Sequence, residues 1–294
     1  MDDLIVNFVP NGMIPTRGMT PHVPITPTEI AQDVYDVMEL GITMVHLHAR
    51  DPATGEPTHR AEIYEEIIER IRSFAPDLII CVSLSGRNVA EFEKRSEPLQ
   101  LTGAVKPDMG SLTLSSMNFS RTASVNSPST IQDLARRMQE RGVLAELEAF
   151  DIGMINYAHY LAQKGLIQPP HYFNLILGNI ACAQTDLLHL GILIRDLPQQ
   201  TFWSLTAIGD AQLSMNAVAM ACGGGIRVGL EDNLWFDRHR TELARNIDLV
   251  RRIHNLADIV DRRIMKPSRL RELLGLESGY GSYGRRPQPK QANT

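Results

Sequence analysis

Short apolar runs alternate with longer stretches whose apolar residues recur every three or four positions. Short runs are typical of buried strands, and the longer periodicity is typical of helices packed on one face. The pattern predicts eight strands, at Leu4–Val9, Thr43–His48, Leu78–Leu84, Gly110–Leu114, Leu144–Phe150, Phe173–Leu177, Phe202–Ile208 and Ile226–Leu230. It also predicts eight helices, at Thr28–Leu40, Ala61–Phe74, Val89–Gln100, Thr130–Arg141, Ile152–Lys164, Thr185–Arg195, Ala211–Ala221 and Arg240–Leu256.

The order of these elements predicts the fold. Strand–helix alternation gives parallel βα units, and eight such units match an α/β TIM barrel, (β/α)8. A doubly wound open sheet is the alternative, but no Gly-x-Gly-x-x-Gly follows the first strand. We therefore expect one catalytic domain over residues 1–276. Residues 277–294 are poor in apolar side chains, so we expect a tail that is flexible or contacts a neighbouring subunit.

Composition narrows the class of function. The 294 residues carry a net charge of −5 and no basic stripe, which argues against a nucleic-acid partner. No apolar run approaches the ~20 residues that cross a bilayer, and the start Met1-Asp2-Asp3-Leu4 lacks the basic residues of a signal peptide. The three cysteines are widely spaced, as in a reduced protein. These features predict a cytoplasmic protein that acts on small molecules.

Two histidines in the second predicted strand are the first candidate for chemistry. Alternate residues of a strand share a face, so His46 and His48 project side by side near its carboxyl end. In TIM barrels the active site lies at that end. The pair suits one metal ion, with zinc the leading candidate. The alternative is two hydrogen-bonded histidines of the core.

The eighth strand offers a carboxylate for the same ion. Strands one, two and eight adjoin where a barrel closes, so Glu231 can meet both imidazoles. Two histidines, one glutamate and an open position are typical of catalytic zinc. Arg227 lies in a buried strand and needs an acidic partner, which Glu231 or Asp232 can supply. The alternative is a solvated loop pair of acids, with Arg227 in a surface salt bridge.

Two further glutamates, Glu146 and Glu148, lie two apart on the fifth strand and share a face. Buried carboxylates there need a cation or hydrogen-bond donors. They either replace Glu231 as a metal ligand or hold Arg50 or Arg227 behind the site. We favour the supporting role.

Together these segments resemble the β-keto acid cleavage enzymes. The resemblance runs from residue 5 to about 276 and rests on Pro24-Ile25-Thr26-Pro27-Thr28-Glu29-Ile30-Ala31, Val45-His46-Leu47-His48-Ala49-Arg50-Asp51-Pro52, Ser116-Met117-Asn118-Phe119, Glu146-Leu147-Glu148-Ala149-Phe150-Asp151-Ile152-Gly153 and Arg227-Val228-Gly229-Leu230-Glu231-Asp232-Asn233. It implies a TIM barrel, one zinc per chain and a homotetramer. It also implies a reaction in which a β-keto acid condenses with acetyl-CoA, giving acetoacetate and a new acyl-CoA.

The resemblance also assigns roles to residues of this chain. It implies that zinc is held by His46, His48 and Glu231, and that Arg227 and Asp232 assist proton transfer and attack on the thioester. Since a neighbouring cation favours a carboxylate, we expect Asp232 to be ionised. The substrate-binding candidates are Ser83, which is also a catalytic candidate, with Ser111, Thr113, Asn11 and Ile14.

Several positions depart from the family pattern. Ile14 stands where relatives that act on amino-bearing substrates have an acid, so we expect a substrate whose far end is not cationic. Asp210 stands where arginine is common in the family. This change replaces a positive charge by a negative one near the mouth of the barrel, where it could alter the binding of CoA. The other departures are Asn11-Gly12-Met13 for Thr-Gly-Ala, Leu84-Ser85-Gly86 for Thr-Gly-Gly and Gly223-Gly224-Gly225 for Gly-Gly-His.

Two other functions stay open from the sequence. One is a metal-dependent aldolase, C–C lyase or hydrolase that acts on a keto acid without CoA. The other is a barrel repurposed for ligand binding or assembly, with a structural metal. The enzyme implied by the resemblance needs acetyl-CoA, whereas the aldolase, lyase or hydrolase does not. Both kinds of enzyme need an open position on the metal, whereas a structural metal has none.

Overall fold

Eight parallel strands close into a barrel in the computed structural model, which describes residues 3–285. The strands are β1 (Val6–Phe8), β2 (Met44–Leu47), β3 (Ile79–Val82), β4 (Met109–Thr113), β5 (Leu144–Ala149), β6 (His171–Leu177), β7 (Thr201–Ala207) and β8 (Gly225–Val228). Each strand pairs with its neighbours in sequence, and β1 pairs with both β2 and β8, which closes the ring. The predicted TIM barrel is confirmed.

The helices surround the barrel, with their apolar sides packed on the outward side chains of the strands. Among the described residues they are α1 (Pro27–Met38), α2 (Ala61–Phe74), α3 (Phe92–Arg95), α4 (Pro128–Arg141), α5 (Ile152–Gln163), α6 (Leu187–Arg195), α7 (Gln212–Ala221), α8 (Asn246–Ile259) and α9 (Pro267–Leu274). None of these helices has the length and apolarity needed to cross a bilayer.

The third helix is shorter than the predicted Val89–Gln100. Within this predicted range the α-helix is limited to α3, and a 3-10 turn follows at Glu97–Gln100. Pro98 accounts for the break, because it has no backbone N–H and its ring clashes with the carbonyl four residues earlier. The periodicity also missed a small hairpin, Met117–Asn118 paired with Ala123–Ser124, which follows β4.

The last predicted helix, Arg240–Leu256, begins later, at Asn246. Arg240 has a φ of 59°, which no right-handed helix accommodates. The Asp237 carboxylate accepts the backbone N–H groups of Thr241 and Glu242, at 2.9 and 2.7 Å, and so holds this segment as a loop.

The eighth strand also ends earlier than the predicted Ile226–Leu230. The chain turns at Gly229, whose carbonyl accepts the N–H of Asp232 at 3.3 Å. A Cβ on Gly229 would overlap the Val9 carbonyl, so only glycine allows β8 to pass this close to the end of β1. Glu231 therefore reaches the barrel mouth from a turn, and it does not lie on the strand with Arg227 as expected.

The predicted tail, 277–294, begins as an ordered segment. Tyr283 is buried, and the N–H of Gly284 donates to Asp108 Oδ1 at 3.0 Å. Arg285 donates to the Leu274 carbonyl at 3.1 Å. These residues therefore pack on their own barrel, because they complete the polar contacts of its amino end. The rest of the predicted tail lies outside the described residues.

Candidate active site and metal centre

Three side chains that can bind a metal converge at the carboxyl end of the barrel. His46 lies on β2, His48 directly follows that strand, and Glu231 lies in the turn after β8. His46 Nε2 is 3.1 Å from His48 Nε2, which is 3.2 Å from Glu231 Oε1. One ligand atom from each side chain lies within 4.8 Å of the others. Two imidazole nitrogens and a carboxylate oxygen are donors that suit zinc.

The surroundings of Glu231 also fit a bound cation. Its Oε2 atom is buried without a hydrogen-bond partner among the described residues. Gly12, with a φ of 61°, lies against this carboxylate, and a Cβ there would overlap it. The close approach of the β1 loop therefore leaves Glu231 no room to turn away from the histidines.

Glu146 supports the first histidine from behind. Its Oε2 lies 2.5 Å from His46 Nδ1, and its Oε1 accepts Asn7 Nδ2 at 2.9 Å. The bond fixes the proton on His46 Nδ1, so that Nε2 presents a lone pair to a metal. Cys81 Sγ also donates to Glu146, at 3.2 Å. Burial, together with the charge of Glu146, raises the pKa of the Cys81 thiol well above its usual range, so without a metal this thiol stays protonated and donates to Glu146. His46, Cys81 and Glu146 form a second group whose ligand atoms lie within 4.8 Å of one another.

The surrounding charges shift the pKa values of the two histidines in opposite directions. Burial lowers the pKa of His46, but the charges of Glu146 and Glu231 outweigh it and raise that pKa to about 9. Burial lowers the pKa of His48. In the metal-free chain a proton on His46 therefore supplies the positive charge, and a metal ion would displace it.

Arg227 joins the acids of the site. It donates from Nε to Asp232 Oδ2 at 3.0 Å, and its Nη2 lies 2.7 Å from Glu231 Oε1. Its Nη1 lies 3.7 Å from Glu148 Oε1, while Thr113 donates to the other oxygen of that glutamate at 2.6 Å. Arg227 and Asp232 are only 2% and 8% exposed, which rules out the surface salt bridge.

The charge state of Asp232 depends on more than its arginine. Burial and the charge of Glu231 raise its pKa above the ordinary value, although Arg227 opposes them. The expectation that Arg227 alone keeps Asp232 ionised was therefore incomplete. A carboxyl group with a raised pKa is suited to take a proton and return it.

Comparison with known proteins identifies the family of this site. A profile of the family described as beta-keto acid cleavage enzyme matches residues 3–276. The chain belongs to this family. The prediction of an enzyme that cleaves C–C bonds, made from the resemblance, is confirmed.

Individual relatives agree with the family. A 3-keto-5-aminohexanoate cleavage enzyme from Fusobacterium nucleatum is 33% identical over 279 residues, which cover 94% of this chain and 99% of that protein. A 3-oxoadipate:acetyl-CoA acetyltransferase from Cupriavidus necator is 33% identical over 278 residues, 93% of this chain and 95% of that protein. A solved ternary complex of ObcA with a C4-CoA adduct and oxalate has a TM-score of 0.77 at 21% identity, covering 87% of this chain and 68% of that one. This last similarity shows the shared barrel fold.

The hydroxyl candidates of this β-keto acid cleavage enzyme line one side of the mouth. Ser111 Oγ accepts the Leu84 N–H at 3.0 Å, and Ser83 Oγ accepts the Ser85 N–H at 3.4 Å. Both hydroxyls therefore hold the loop after β3 and keep their own protons for a further acceptor. With Thr113 they lie at the carboxyl ends of β3 and β4.

Asn11 and Ile14 lie in the loop after β1. Asn11 Nδ2 donates to the carbonyls of Pro24 and His48 at 3.2 and 3.0 Å, which ties this loop to the end of β2. Its Oδ1 atom is buried without a hydrogen-bond partner among the described residues. Ile14 is 48% exposed and presents an apolar side chain at the mouth.

Arg50 does not contact either glutamate that the sequence offered it. Its guanidinium donates to the carbonyls of Met13, at 2.8 Å, and Pro15. Both carbonyls belong to the loop after β1, which lies beside the end of β2. Arg50 therefore supports the shape of the mouth and not the charge of Glu146 or Glu148.

Two departures from the family pattern lie in different places. Gly225 begins β8 at the amino end of the barrel, where a Cβ would lie 2.6 Å from Ser204 Oγ and 2.8 Å from Ile5 Cβ. It is therefore a packing requirement remote from the metal ligands. Asp210 lies at the mouth, since the N–H of its neighbour Gly209 donates to the Asp232 carbonyl at 2.7 Å.

Proposed function

We propose that this β-keto acid cleavage enzyme is zinc-dependent and condenses a β-keto acid with acetyl-CoA, giving acetoacetate and a new acyl-CoA. The observation that carries the proposal is the convergence of His46, His48 and Glu231 beside the buried Arg227–Asp232 pair. The acetyl-CoA in the name of the Cupriavidus necator relative supports the co-substrate.

His46, His48 and Glu231 would hold the zinc, and three protein ligands leave a position for substrate. Zinc bound there would supply a Lewis acid that stabilises negative charge on a keto-acid oxygen. Glu146 keeps the His46 Nδ1 proton in place and so orients the ring. The side-chain hydroxyls of Ser83 and Ser111 would donate to the substrate carboxylate, whereas the predicted contact from Thr113 would require its hydroxyl to leave Glu148 Oε2, to which it donates at 2.6 Å.

The remaining steps need a proton carrier and a fixed cation. The acyl group of the keto acid moves to the CoA sulfur, while the carbon next to the carboxylate takes the acetyl group. That carbon must lose a proton first and regain one at the end. Asp232, with its raised pKa, is suited to both transfers, and Arg227 keeps it in position.

The experiment couples metal analysis to a product assay. We expect zinc near one per chain, and acetoacetate with a new thioester, by mass spectrometry, only when a β-keto acid and acetyl-CoA are both present. His46→Ala should lose zinc and product, while His239→Ala, at an exposed histidine, should keep both. Full zinc in His46→Ala would contradict the metal assignment.

A second function is favoured by Asp210, whose negative charge lies at the mouth where CoA would enter. A metal-dependent C–C lyase, aldolase or hydrolase would release product from a keto acid without acetyl-CoA. The same assay without acetyl-CoA distinguishes the two functions. A homotetramer in the cytoplasm stays a prediction, and light scattering would measure the assembly.

A further inference from the structure

Arg87 is a half-buried cation at the barrel mouth that lacks an acidic partner. It follows the Ser85-Gly86 turn on the loop after β3. Within residues 3–285 its guanidinium forms no ion pair, and only the more distant charges of Glu231 and Glu148 act on it. Arginines that lose solvent are normally paired, so this one requires an explanation.

The two acids that act on Arg87 are already engaged. Glu231 faces the histidines and Arg227, and Glu148 accepts the Thr113 hydroxyl and lies 3.7 Å from Arg227. Burial lowers the pKa of Arg87, and these two charges oppose that shift. Both acids lie in the candidate site, so the Arg87 guanidinium is close enough to this site to feel their charges. It forms no ion pair with either acid and can therefore bind an anionic ligand.

The guanidinium is held in place by an aromatic ring. Its central carbon lies 3.4 Å from the centroid of Phe119, on the hairpin after β4. Phe119 in turn meets Phe150 edge to face, with centroids 6.1 Å apart. Stacking leaves the N–H edge of an arginine free for hydrogen bonds and reduces the entropy lost when a ligand binds.

A second arginine fixes the loop of Arg87 to the hairpin of Phe119. Arg95 donates to the Leu84 carbonyl at 2.9 Å and to Asn126 Oδ1 at 2.7 Å. Gly86 lies in the same contact, where a Cβ would be 2.5 Å from the Val125 carbonyl oxygen. The Arg87–Phe119 pair is therefore built into the packing of two loops and does not depend on a mobile surface contact.

We propose that Arg87 binds a second carboxylate, at the far end of a dicarboxylic β-keto acid. This inference rests on the proposed function, in which the first carboxylate meets the hydroxyls of Ser83 and Ser111. A guanidinium binds a carboxylate through two parallel hydrogen bonds. Ile14 offers no acid to a cationic substrate end, and Arg87 would repel one. The same site therefore selects a dianionic substrate and rejects an amino-bearing one.

The test compares two acids that differ only at the far end, 3-oxoadipate and 3-oxohexanoate. Their dissociation constants are measured by calorimetry on the zinc-loaded protein without acetyl-CoA, so that turnover does not interfere. We expect the wild-type chain to bind 3-oxoadipate about 10- to 100-fold more tightly. Arg87→Gln should bring the ratio of the two constants toward one. Arg121→Gln, at an exposed arginine on the same hairpin, should leave the ratio unchanged.

Phe119→Leu is a second variant that keeps Arg87 itself. It should reduce the ratio by several-fold, because the guanidinium loses its stacking partner. The inference is overturned if the wild-type chain binds the two acids equally tightly. It is overturned as well if Arg87→Gln weakens the binding of both acids equally, since Arg87 would then bind the carboxylate that the two acids share. It is also overturned if Arg87→Gln raises only the KM for acetyl-CoA and not for acetyl-pantetheine, because the ligand would then be a CoA phosphate.

These outcomes separate this inference from the proposed function. If the ratio depends on Arg87 but neither acid yields acetoacetate, the anion site stands and the transferase proposal fails. If the chain makes acetoacetate from 3-oxohexanoate as readily as from 3-oxoadipate, the transferase proposal stands and the role of Arg87 fails.

Discussion

The two ends of this barrel each bury a cluster of charges, and they treat those charges in opposite ways. At the amino end, Asp108 precedes β4 and meets Arg72 from α2 and Arg271 from α9. At the carboxyl end, Glu231, Asp232 and Glu148 surround Arg227 beside two histidines. In the first cluster both oxygens of the acid have hydrogen-bond donors, and in the second cluster one oxygen of Glu231 has none among the described residues.

At the amino end every oxygen of Asp108 is engaged. Arg72 donates at 2.7 Å, Arg271 donates twice at 2.8 Å, and the N–H groups of Ile80 and Gly284 donate at 3.0 Å. Burial raises the pKa of Asp108, but the two arginines outweigh it and hold the pKa below its usual value. The carboxylate therefore has no free oxygen for a ligand, although Arg72 Nε is buried without a hydrogen-bond partner among the described residues.

At the carboxyl end some polar atoms stay unsatisfied. Glu231 Oε2, Arg227 Nη1 and Asn11 Oδ1 are buried without hydrogen-bond partners among the described residues. His46 Nε2 and His48 Nε2 also face each other at 3.1 Å. Folding alone does not favour such an arrangement, because buried polar groups without partners cost free energy. The comparison therefore assigns stability to one end and ligand binding to the other.

The largest expected effect is on stability, at the amino end. Asp108→Asn should lower the free energy of unfolding by about 3–5 kcal/mol, since it leaves two buried arginines without their anion. Urea denaturation measures this change, and zinc content should be retained. Asp133→Asn removes an exposed ion pair to Arg136 on α4 and should cost less than about 1 kcal/mol. Loss of zinc at unchanged stability in Asp108→Asn would reverse the comparison.

The second largest expected effect is on the affinity for zinc, at the carboxyl end of the barrel. Glu146→Gln should weaken zinc binding about 10- to 100-fold, because His46 loses the charge that orients and polarises its ring. Competition with a chelator of known affinity measures this. Glu62→Gln, at an exposed position of α2, is the control. If Glu146→Gln abolishes binding while Glu231→Gln retains it, Glu146 is the ligand and Glu231 the support.

The sequence predicted the barrel and its mouth for one physical reason. Periodicity reports which side chains are buried within one element, and parallel strands bring their carboxyl ends together. The amino-acid sequence alone was therefore enough to place His46, His48, Arg227 and Glu231 near one another. The same rule places Asp232 there, since it follows Glu231 in the chain, but the predicted role of Arg227 and Asp232 in proton transfer came from the family resemblance.

Contacts that depend on loop paths could not be predicted in the same way. Arg87 and Phe119 meet because two loops are fastened together, and no periodicity describes that path. Glu146 and Glu148 were predicted partners of Arg50 because buried carboxylates need a cation, but Arg50 donates instead to the carbonyls of the β1 loop. Gly225 departs from the family pattern shortly before the segment of Arg227 and Glu231, yet it lies at the opposite end of β8 from the metal ligands. A charged residue directly before an apolar strand, such as Asp108, was the one available signal of the amino-end cluster.

The smallest expected effect concerns Asp33, a buried acid near the carboxyl end of the barrel whose negative charge lowers the stability of the fold. Asp33 on α1 accepts Asn246 Nδ2 at 2.6 Å, and Asn246 in turn holds the Pro10 carbonyl and the Leu230 N–H. Burial raises the pKa of Asp33 to about 6, helped by Asp36, while the bond from Asn246 opposes it.

Because the pKa of an unfolded aspartate is about 3.9, the folded chain holds this proton to higher pH than the unfolded chain does. Ionisation of Asp33 therefore lowers stability as the pH rises from about 4 to 6, and the cost stays constant above that. Asp33→Asn keeps an acceptor for Asn246, so it should add on the order of 1 kcal/mol at pH 7 and nothing near pH 4. Urea denaturation across this range measures the difference, and Glu65→Gln, at an exposed acid on α2, is the control. If Asp33→Asn raised the free energy of unfolding by the same amount at every pH, packing and not the charge of Asp33 would account for the difference. The carboxyl end would then not bury this charge at a cost in stability.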